Sequence, residues 1–138
     1  MNFQVNHGAQ WPLVSMQTMK FGELVLTDGK MLVAKLPAGA IILRGGINFV
    51  TQDDDTNTNT VTYAIGTGSD PDRFVAALSA VTAASWVPFT IGLGYANVVG
   101  ENVYITPSAA LDGDSTQGEF HLILEYIIPG RANETQTH

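Results

Sequence analysis

Cysteine is absent from this chain of 138 residues. Without thiols the protein can form no disulfide, and it has no thiolate with which to bind a metal. The fold must therefore be held together by burial of apolar side chains, and the chain is long enough for a core of useful size. Apolar residues make up 45% of the sequence, which indicates one folded domain rather than a disordered segment.

Charge is also scarce, and basic charge most of all. Charged residues amount to 14% of the chain, and 6 lysines and arginines against 13 carboxylates give a formal net charge of -7. The basic residues never cluster, as binding of nucleic-acid phosphates would require, so we expect no nucleic-acid partner. A run of about 18 apolar residues is missing too, so the sequence predicts no membrane span.

Alternation of apolar and other residues with a period of two is the main pattern that is present, and it is typical of half-buried strands. Segment 119–128 is the longest clear case and is expected to be central in a sheet. One of its faces carries Phe120, Leu122, Leu124, Tyr126 and Ile128, and the other carries His121, Ile123, Glu125 and Ile127.

Eight segments fit strands by the same criteria: 12–20, 23–27, 31–36, 40–50, 60–66, 86–91, 102–106 and 119–128. Turn residues separate them; Asp28-Gly29 predicts a tight hairpin, and Gly45-Gly46 predicts a bulge or bend. The sequence thus predicts an all-β, jelly-roll-like β-sandwich as a single domain over 1–138. Residues 1–11 are expected to form an N-terminal arm and 130–138 a flexible C-terminal tail.

The stretch GTGSDPDRF, residues 66–74, is the most pointed motif in the chain. It lacks the lysine of a phosphate-binding loop and the closing glutamate of a calcium loop. A helix start fits better, with Asp70 as a structural cap and Pro71 at the first helical position. We therefore predict a short helical segment near 70–80.

Catalytic and metal-binding constellations are not apparent. Of the three histidines, His7 and His138 fall in predicted loose ends and His121 lies on a strand, so the set a metal site needs does not converge. Most carboxylates lie in turns, and no serine stands in a nucleophile-elbow sequence. We expect no enzyme activity, no metal and no cofactor.

Three residues are candidates for an interface. Trp11 could anchor the arm on a partner, or it could simply close one end of the core. His121 fits a surface or interface residue of its strand. Glu125, between two isoleucines in mid-strand, is expected to contact a lysine or arginine across the sheet or across a subunit boundary.

The order of LPAGAIILRGGINFV, an acidic-polar loop, YAIGTGSDPDRFVAA and GDSTQGEFHLILEYI resembles small structural proteins of tailed bacteriophages, namely capsid decoration (cement) proteins and related head-fibre modules. The resemblance runs from about Leu36 to Ile128. Its shared motif G-x-G-S-D-P-D-R falls on Gly66, Gly68, Ser69, Asp70, Pro71, Asp72 and Arg73.

The resemblance implies a protein made in the bacterial host cytoplasm that binds the major capsid protein on the outer surface of the virion, without catalysis. Low charge, and apolar residues on both faces of 119–128, further predict a homo-oligomer, with a dimer favoured over a trimer. Two other functions stay open at this point: a receptor- or glycan-binding module of a phage fibre, and a small hydrolase or metal-dependent cupin.

Overall fold

The computed structural model describes residues 11–20, 23, 27–51, 62–79, 86–90, 94–108 and 118–129, and the structural statements below concern these ranges. They contain the strands β1 (Leu13–Lys20), β2 (Met31–Ala34), β3 (Ala40–Thr51), β4 (Tyr63–Thr67), β5 (Val75–Leu78), β6 (Trp86–Pro88), β7 (Ala96–Asn97), β8 (Val103–Pro107) and β9 (Glu119–Ile127). No helix in this part of the chain is long and apolar enough to span a membrane.

The strands form two antiparallel sheets. The five-stranded sheet has the order β1-β9-β3-β6, with β7 also paired to β3, and the four-stranded sheet has the order β2-β8-β4-β5. Strand β9 lies between β1 and β3, so the predicted central position of 119–128 is confirmed. The predicted all-β sandwich is confirmed as well.

The core lies between the sheets, and both contribute to it. On β9 the alternation holds, since Phe120, Leu122 and Leu124 are buried while the residues between them are only half-buried. Ile47 of β3 and Ile105 of β8 are among the residues that pack with them. Each fully buried side chain of this size is worth roughly 1.5–3 kcal/mol of hydrophobic free energy. One continuous core thus fixes which face of β9 points outward.

The predicted hairpin at Asp28-Gly29 is confirmed. The Thr27 N–H donates to the Lys30 carbonyl at 2.8 Å, and the Lys30 N–H donates to the Thr27 carbonyl at 3.2 Å. Asp28 has φ 53° and Gly29 has φ 75°, so both central residues are left-handed. This is the backbone that a two-residue hairpin turn matched to the strand twist requires.

Gly45-Gly46 does not form the predicted bulge. The register of β3 against β9 shifts at Leu43, between Ile42 and Arg44, and it is regular through the glycines. The glycines serve close packing instead: a Cβ on Gly45 would lie 2.8 Å from the ring of Phe89. The bulge was thus predicted at the wrong position, because the sequence signals a missing side chain but not what approaches it.

The helix predicted near 70–80 is wrong. After a turn at 70–73 the chain runs into strand β5, which pairs antiparallel with β4. The N–H of Phe74 donates to the Ile65 carbonyl at 2.9 Å, so this segment supplies backbone partners to the edge of β4 that a helix would not supply. Phe74 and Leu78 are both buried, and their spacing of four residues had fitted a helix equally well.

Several predicted features lie outside the described residues. These are arm residues 1–10, tail 130–138 and all but the ends of the predicted strand 23–27. The single-domain prediction for 1–138 therefore stays a prediction.

Candidate functional site

Alternate residues of four neighbouring strands share the outward side of the five-stranded sheet. Because successive side chains point to opposite faces, the residues between the buried positions of β9 face away from the core. Strand register arranges this surface, which we call the outer sheet face, in three rows: Val14, Glu125 and Arg44; Met16, Ile123, Gly46 and Pro88; and Thr18, His121, Asn48 and Trp86.

Several apolar side chains on the outer sheet face are exposed to solvent. Met16 is 57% exposed, Val14 is 64% exposed and Trp86 is 46% exposed. Ile123 lies between Met16 and Gly46 in the middle row. Val14 and Met16 lie on β1 and Trp86 lies three strands away on β6, with Ile123 and Gly46 between them. Several exposed apolar residues on one sheet face mark an interaction site more often than scattered single residues do.

Trp86 lies against the sheet because the residue beneath it is a glycine. A Cβ on Gly46 would come within 2.7 Å of the indole ring and within 2.7 Å of the Val87 carbonyl. Beside the indole is a shallow depression of about 440 Å³, lined by Arg44, Gly45, Trp86, Pro88, Phe89, Ile123 and Glu125. The tryptophan therefore forms one wall of a depression on the part of the face made by β9, β3 and β6.

Arg44 and Glu125, the charged residues of the first row, are paired with each other. Arg44 donates from Nε to Oε2 of Glu125 and from Nη2 to Oε1 at 3.2 Å, a two-point contact between neighbouring strands. The hydrogen bond and the charge of Glu125 raise the pKa of Arg44 above its usual value. The predicted contact of Glu125 with a lysine or arginine across the sheet is thus confirmed with Arg44.

The other two interface candidates are placed differently. His121 is half-buried in the row that ends at Trp86, and its Nε2 lies 3.5 Å from Oε1 of Glu119. Trp11 is 65% exposed and precedes β1, so the alternative that it closes the core does not hold. The outer sheet face unites His121 and Glu125, while the interface role of all three stays a prediction.

The turn at 66–73 is tied to a distant loop by Glu101. Its carboxylate accepts the Ser69 N–H at 2.9 Å through Oε1 and the Tyr95 hydroxyl at 2.9 Å through Oε2. Hydrogen bonds from Ser69 and Tyr95 hold the pKa of Glu101 below its ordinary value, so the group stays ionised. The carboxylate is occupied in holding two loops together.

Asp70 and Pro71 do not cap a helix. The main-chain carbonyl of Asp70 accepts the N–H of Thr67 at 2.8 Å, which closes a turn, and its carboxylate lies 3.1 Å from Nη2 of Arg73. The Arg73 guanidinium in turn lies 4.2 Å from the centre of the Tyr95 ring. A Cβ on Gly66 would approach the Asp70 carbonyl to 2.1 Å, so the turn requires glycine there. GTGSDPDRF thus contains the end of β4 and the turn that leads into β5.

Asn97 organises the loop that carries Glu101. It is fully buried; its Oδ1 accepts the Glu101 N–H at 2.7 Å and its Nδ2 donates to the Glu101 carbonyl at 2.9 Å. The same Nδ2 lies 3.4 Å from the Leu36 carbonyl and 3.3 Å from the Pro37 carbonyl. The loop thereby presents Val98 and Val99 to solvent, 76% and 80% exposed.

Sequence reasoning found part of this surface. It placed His121 and Glu125 on one side of a strand but missed Met16, Val14 and Arg44 as their neighbours. A signal was present in β1, LVSMQTMK, which carries apolar residues on both faces. Within the described ranges no group of three or more histidine, aspartate or glutamate side chains could hold a metal ion.

No family model matches the chain, and no curated protein shows significant similarity to its sequence. Solved structures do resemble its fold. A chain of the capsid asymmetric unit of cyanophage Pam1 aligns with a TM-score of 0.71 and 23% identity, over 94% of this chain and 92% of that one.

Two further structures align over comparable lengths. The acid-stable capsid of Helicobacter pylori bacteriophage KHP30 gives a TM-score of 0.66 at 15% identity, over 94% of this chain and 96% of that one. The capsid of Ralstonia phage GP4 gives 0.61 at 14% identity, over 95% and 93% respectively. At these identities the likeness concerns the fold, and it includes nearly the whole of each chain.

Proposed function

We propose that the protein is a structural component of a phage virion, which binds the outside of the head and cements adjacent capsomers. The observation that carries this proposal is the whole-chain fold likeness to chains in three phage capsid structures. Because the shared region covers at least 92% of each matched chain, those chains are sandwiches of similar size and not large proteins with a similar module.

The strand order supports the same reading. With the two-residue β7 set aside, the remaining eight strands have the order first-eighth-third-sixth in one sheet and second-seventh-fourth-fifth in the other. We assign this order to the jelly roll, the two-sheet architecture with eight strands found among viral capsid domains. The fold is compatible with other functions, so the choice among them depends on the chemistry of the surface.

We assign the contact with the phage shell to the outer sheet face. Its apolar residues Val14, Met16 and Trp86 are exposed, and their removal from water on binding lowers the free energy. Trp86 has the character of a binding anchor, since tryptophan beside a depression and an arginine is the typical composition of interface hot spots. The paired charges of Arg44 and Glu125 can enter an interface without leaving a lone charge behind.

Cementing then follows from mass action. A protein that binds the assembled shell and not its separated subunits stabilises the assembly by its binding free energy. Each contact needs only modest strength, because many copies act on one particle. No catalytic step enters this mechanism, and we propose that the protein has none.

The test is to assemble heads without the protein and add it back. We expect stoichiometric binding over the whole shell by cryo-EM, and a higher temperature of head disruption when sites are full. Trp86→Ala should lower occupancy at a fixed concentration, whereas Leu32→Ala, at a comparably exposed residue of the other sheet, should not.

Binding of the protein only at a few vertices, together with binding of the isolated protein to host glycans, would instead identify a fibre module. Full binding without any change in head stability would leave a decoration role and remove the cementing one.

A further inference from the structure

Sandwich edges differ in how well they are protected. Strands β2 and β5 border the smaller sheet with four residues each, and both pair with a register shift. Strand β6 has three residues and ends at Pro88, and β7 has two. Short length, irregular pairing and proline are the devices by which natural proteins prevent an edge from pairing with another chain.

Strand β1 has none of these devices. It runs for eight residues, Leu13–Lys20, and pairs with β9 in an unbroken register. It contains no proline and no charged residue before Lys20 at its end. Within the described ranges no strand pairs with its other edge. The alternate N–H and C=O groups that face away from β9 therefore form a long, regular template for another strand.

We propose that this edge pairs with β1 of a second copy, antiparallel and about a two-fold axis near Gln17. A two-fold contact uses the same patch on both partners, and an antiparallel strand pair is self-complementary in this way. If the outer sheet faces of both copies lie on the same side, the pleat then places Gln17 opposite its own counterpart.

The distribution of charge favours a second copy as the occupant. The chain has a formal net charge of -7, so two copies repel each other at most orientations. Between Leu13 and Met19 the edge strand has no charged side chain that would repel a second copy. Lys20 is at the strand end, so in the proposed register the two copies of Lys20 are separated by about six residues, or about 20 Å at 3.4 Å per residue.

The paired arrangement doubles the outer sheet face. Strands would run β6-β3-β9-β1 and then β1-β9-β3-β6 of the second copy in one continuous sheet. The row that contains Met16, Ile123, Gly46 and Pro88 would continue into the second copy. Such a dimer carries two equivalent outer faces on one side.

A charge-swap experiment on the isolated protein tests this. Gln17 is exposed at the centre of the edge, so Gln17→Lys and Gln17→Glu should each place like charges against each other across the axis. We expect each variant to sediment as a monomer at about 10 µM, where the parent is a dimer, and an equimolar mixture to restore the dimer. Ala76→Lys, on the short edge β5, is the matched control and should remain dimeric.

Cysteine trapping tests whether the two β1 strands pair antiparallel about Gln17. The parent chain has no cysteine, so a single introduced cysteine can link only to its own counterpart. Gln17→Cys should form a disulfide-linked dimer under air oxidation, and Lys20→Cys should not link to itself. Circular dichroism of every variant separates loss of pairing from loss of folding.

Three results would overturn the inference: a monomeric or trimeric parent, a mixture that stays monomeric, or linkage through Lys20→Cys alone. If another segment of the same chain covered the β1 edge, the parent protein would be monomeric, which is the first of these results. The experiment uses no phage heads, so its failure leaves the capsid proposal standing, and failure to bind heads leaves the dimer standing.

Discussion

Replacing Asn97 tests whether the turn GTGSDPDRF is held by the loop opposite it. Asn97→Ala removes the two short hydrogen bonds to the main chain of Glu101, at 2.7 Å and 2.9 Å, and the two longer contacts to the carbonyls of Leu36 and Pro37. Because Asn97 is fully buried, water does not replace these partners directly. The loop must either open or keep main-chain groups without partners.

The expected loss can be worked from these contacts. A buried donor or acceptor left without its partner costs about 1–3 kcal/mol. Two main-chain groups of Glu101 lose a short bond, which sums to about 2–6 kcal/mol. Because Glu101 is only half-buried, we expect the lower part of that range, about 2–4 kcal/mol, in the free energy of unfolding. For a chain of 138 residues this corresponds to a fall of about 10 °C in the melting temperature.

Urea and thermal unfolding followed by circular dichroism measure this loss. Val98→Ala is the control, since its side chain is next in sequence but 76% exposed, and it should change the stability by less than about 0.5 kcal/mol. If Asn97→Ala unfolds within 0.5 kcal/mol of the parent, the loop is not a structural clamp. The polar residues around Glu101 would then have to be reconsidered as a binding or catalytic site.

Four further outcomes are expected. Trp86→Ala should reduce affinity for phage heads by at least tenfold, as loss of a hot-spot residue costs about 2 kcal/mol or more, without lowering the melting temperature by more than a few degrees. The pKa of Glu101 is lowered in the folded protein, so its ionised carboxylate stabilises the fold above the unfolded pKa. This stabilisation is lost as the pH falls through the folded pKa. Glu101→Gln should therefore lose less stability than the parent on acidification from about pH 6 to pH 3. Asp70→Ala should cost at most about 1 kcal/mol, because it removes a partly exposed ion pair with Arg73 and not a helix cap. Head binding should change little with ionic strength, since the main charges of the outer sheet face are paired with each other; a steep fall in affinity with salt would contradict the assigned surface.

Strand positions were the predictable part of this fold. Alternation with period two located β9 and its buried face, because a strand at the centre of a sheet must bury every second side chain. Asp28-Gly29 gave the hairpin, because few residue pairs adopt two successive left-handed conformations. In both cases a short segment contains the whole physical cause.

Failures occurred where the cause lies far away in the chain. Phe74, Val75 and Leu78 fit a helix or a strand by their own spacing, and the open edge of β4 decided between the two. The clamp on the turn joins Ser69 to Glu101, 32 residues later, and Asn97 reaches back 61 residues to Leu36. Such contacts depend on how the two sheets pack together, and a local sequence pattern does not predict that packing.

The candidate surface shows the same division. Periodicity placed His121 and Glu125 on one side of β9, but their apolar neighbours come from other strands through register. Met16 is opposite Ile123 on one side of β9, and Gly46 is opposite Ile123 on the other. A single strand read alone therefore suggests a half-polar face, whereas the assembled sheet has an apolar centre between polar pairs.

This arrangement suits a protein that must bind a large shell through a small area. Burial of a lone charge costs several kcal/mol, so an interface with an unmatched carboxylate would lose much of what its apolar residues gain. Here Glu125 already has Arg44 as its partner within the same sheet, before any contact with a shell. In the proposed contact, binding would then depend on the removal of Val14, Met16 and Trp86 from water. Pairing of two copies through β1 would present that apolar area twice on one rigid sheet, so the second contact would form at a high effective concentration once the first is made. Under the proposed function, a weak face would thus act as an adequate cement without a larger subunit.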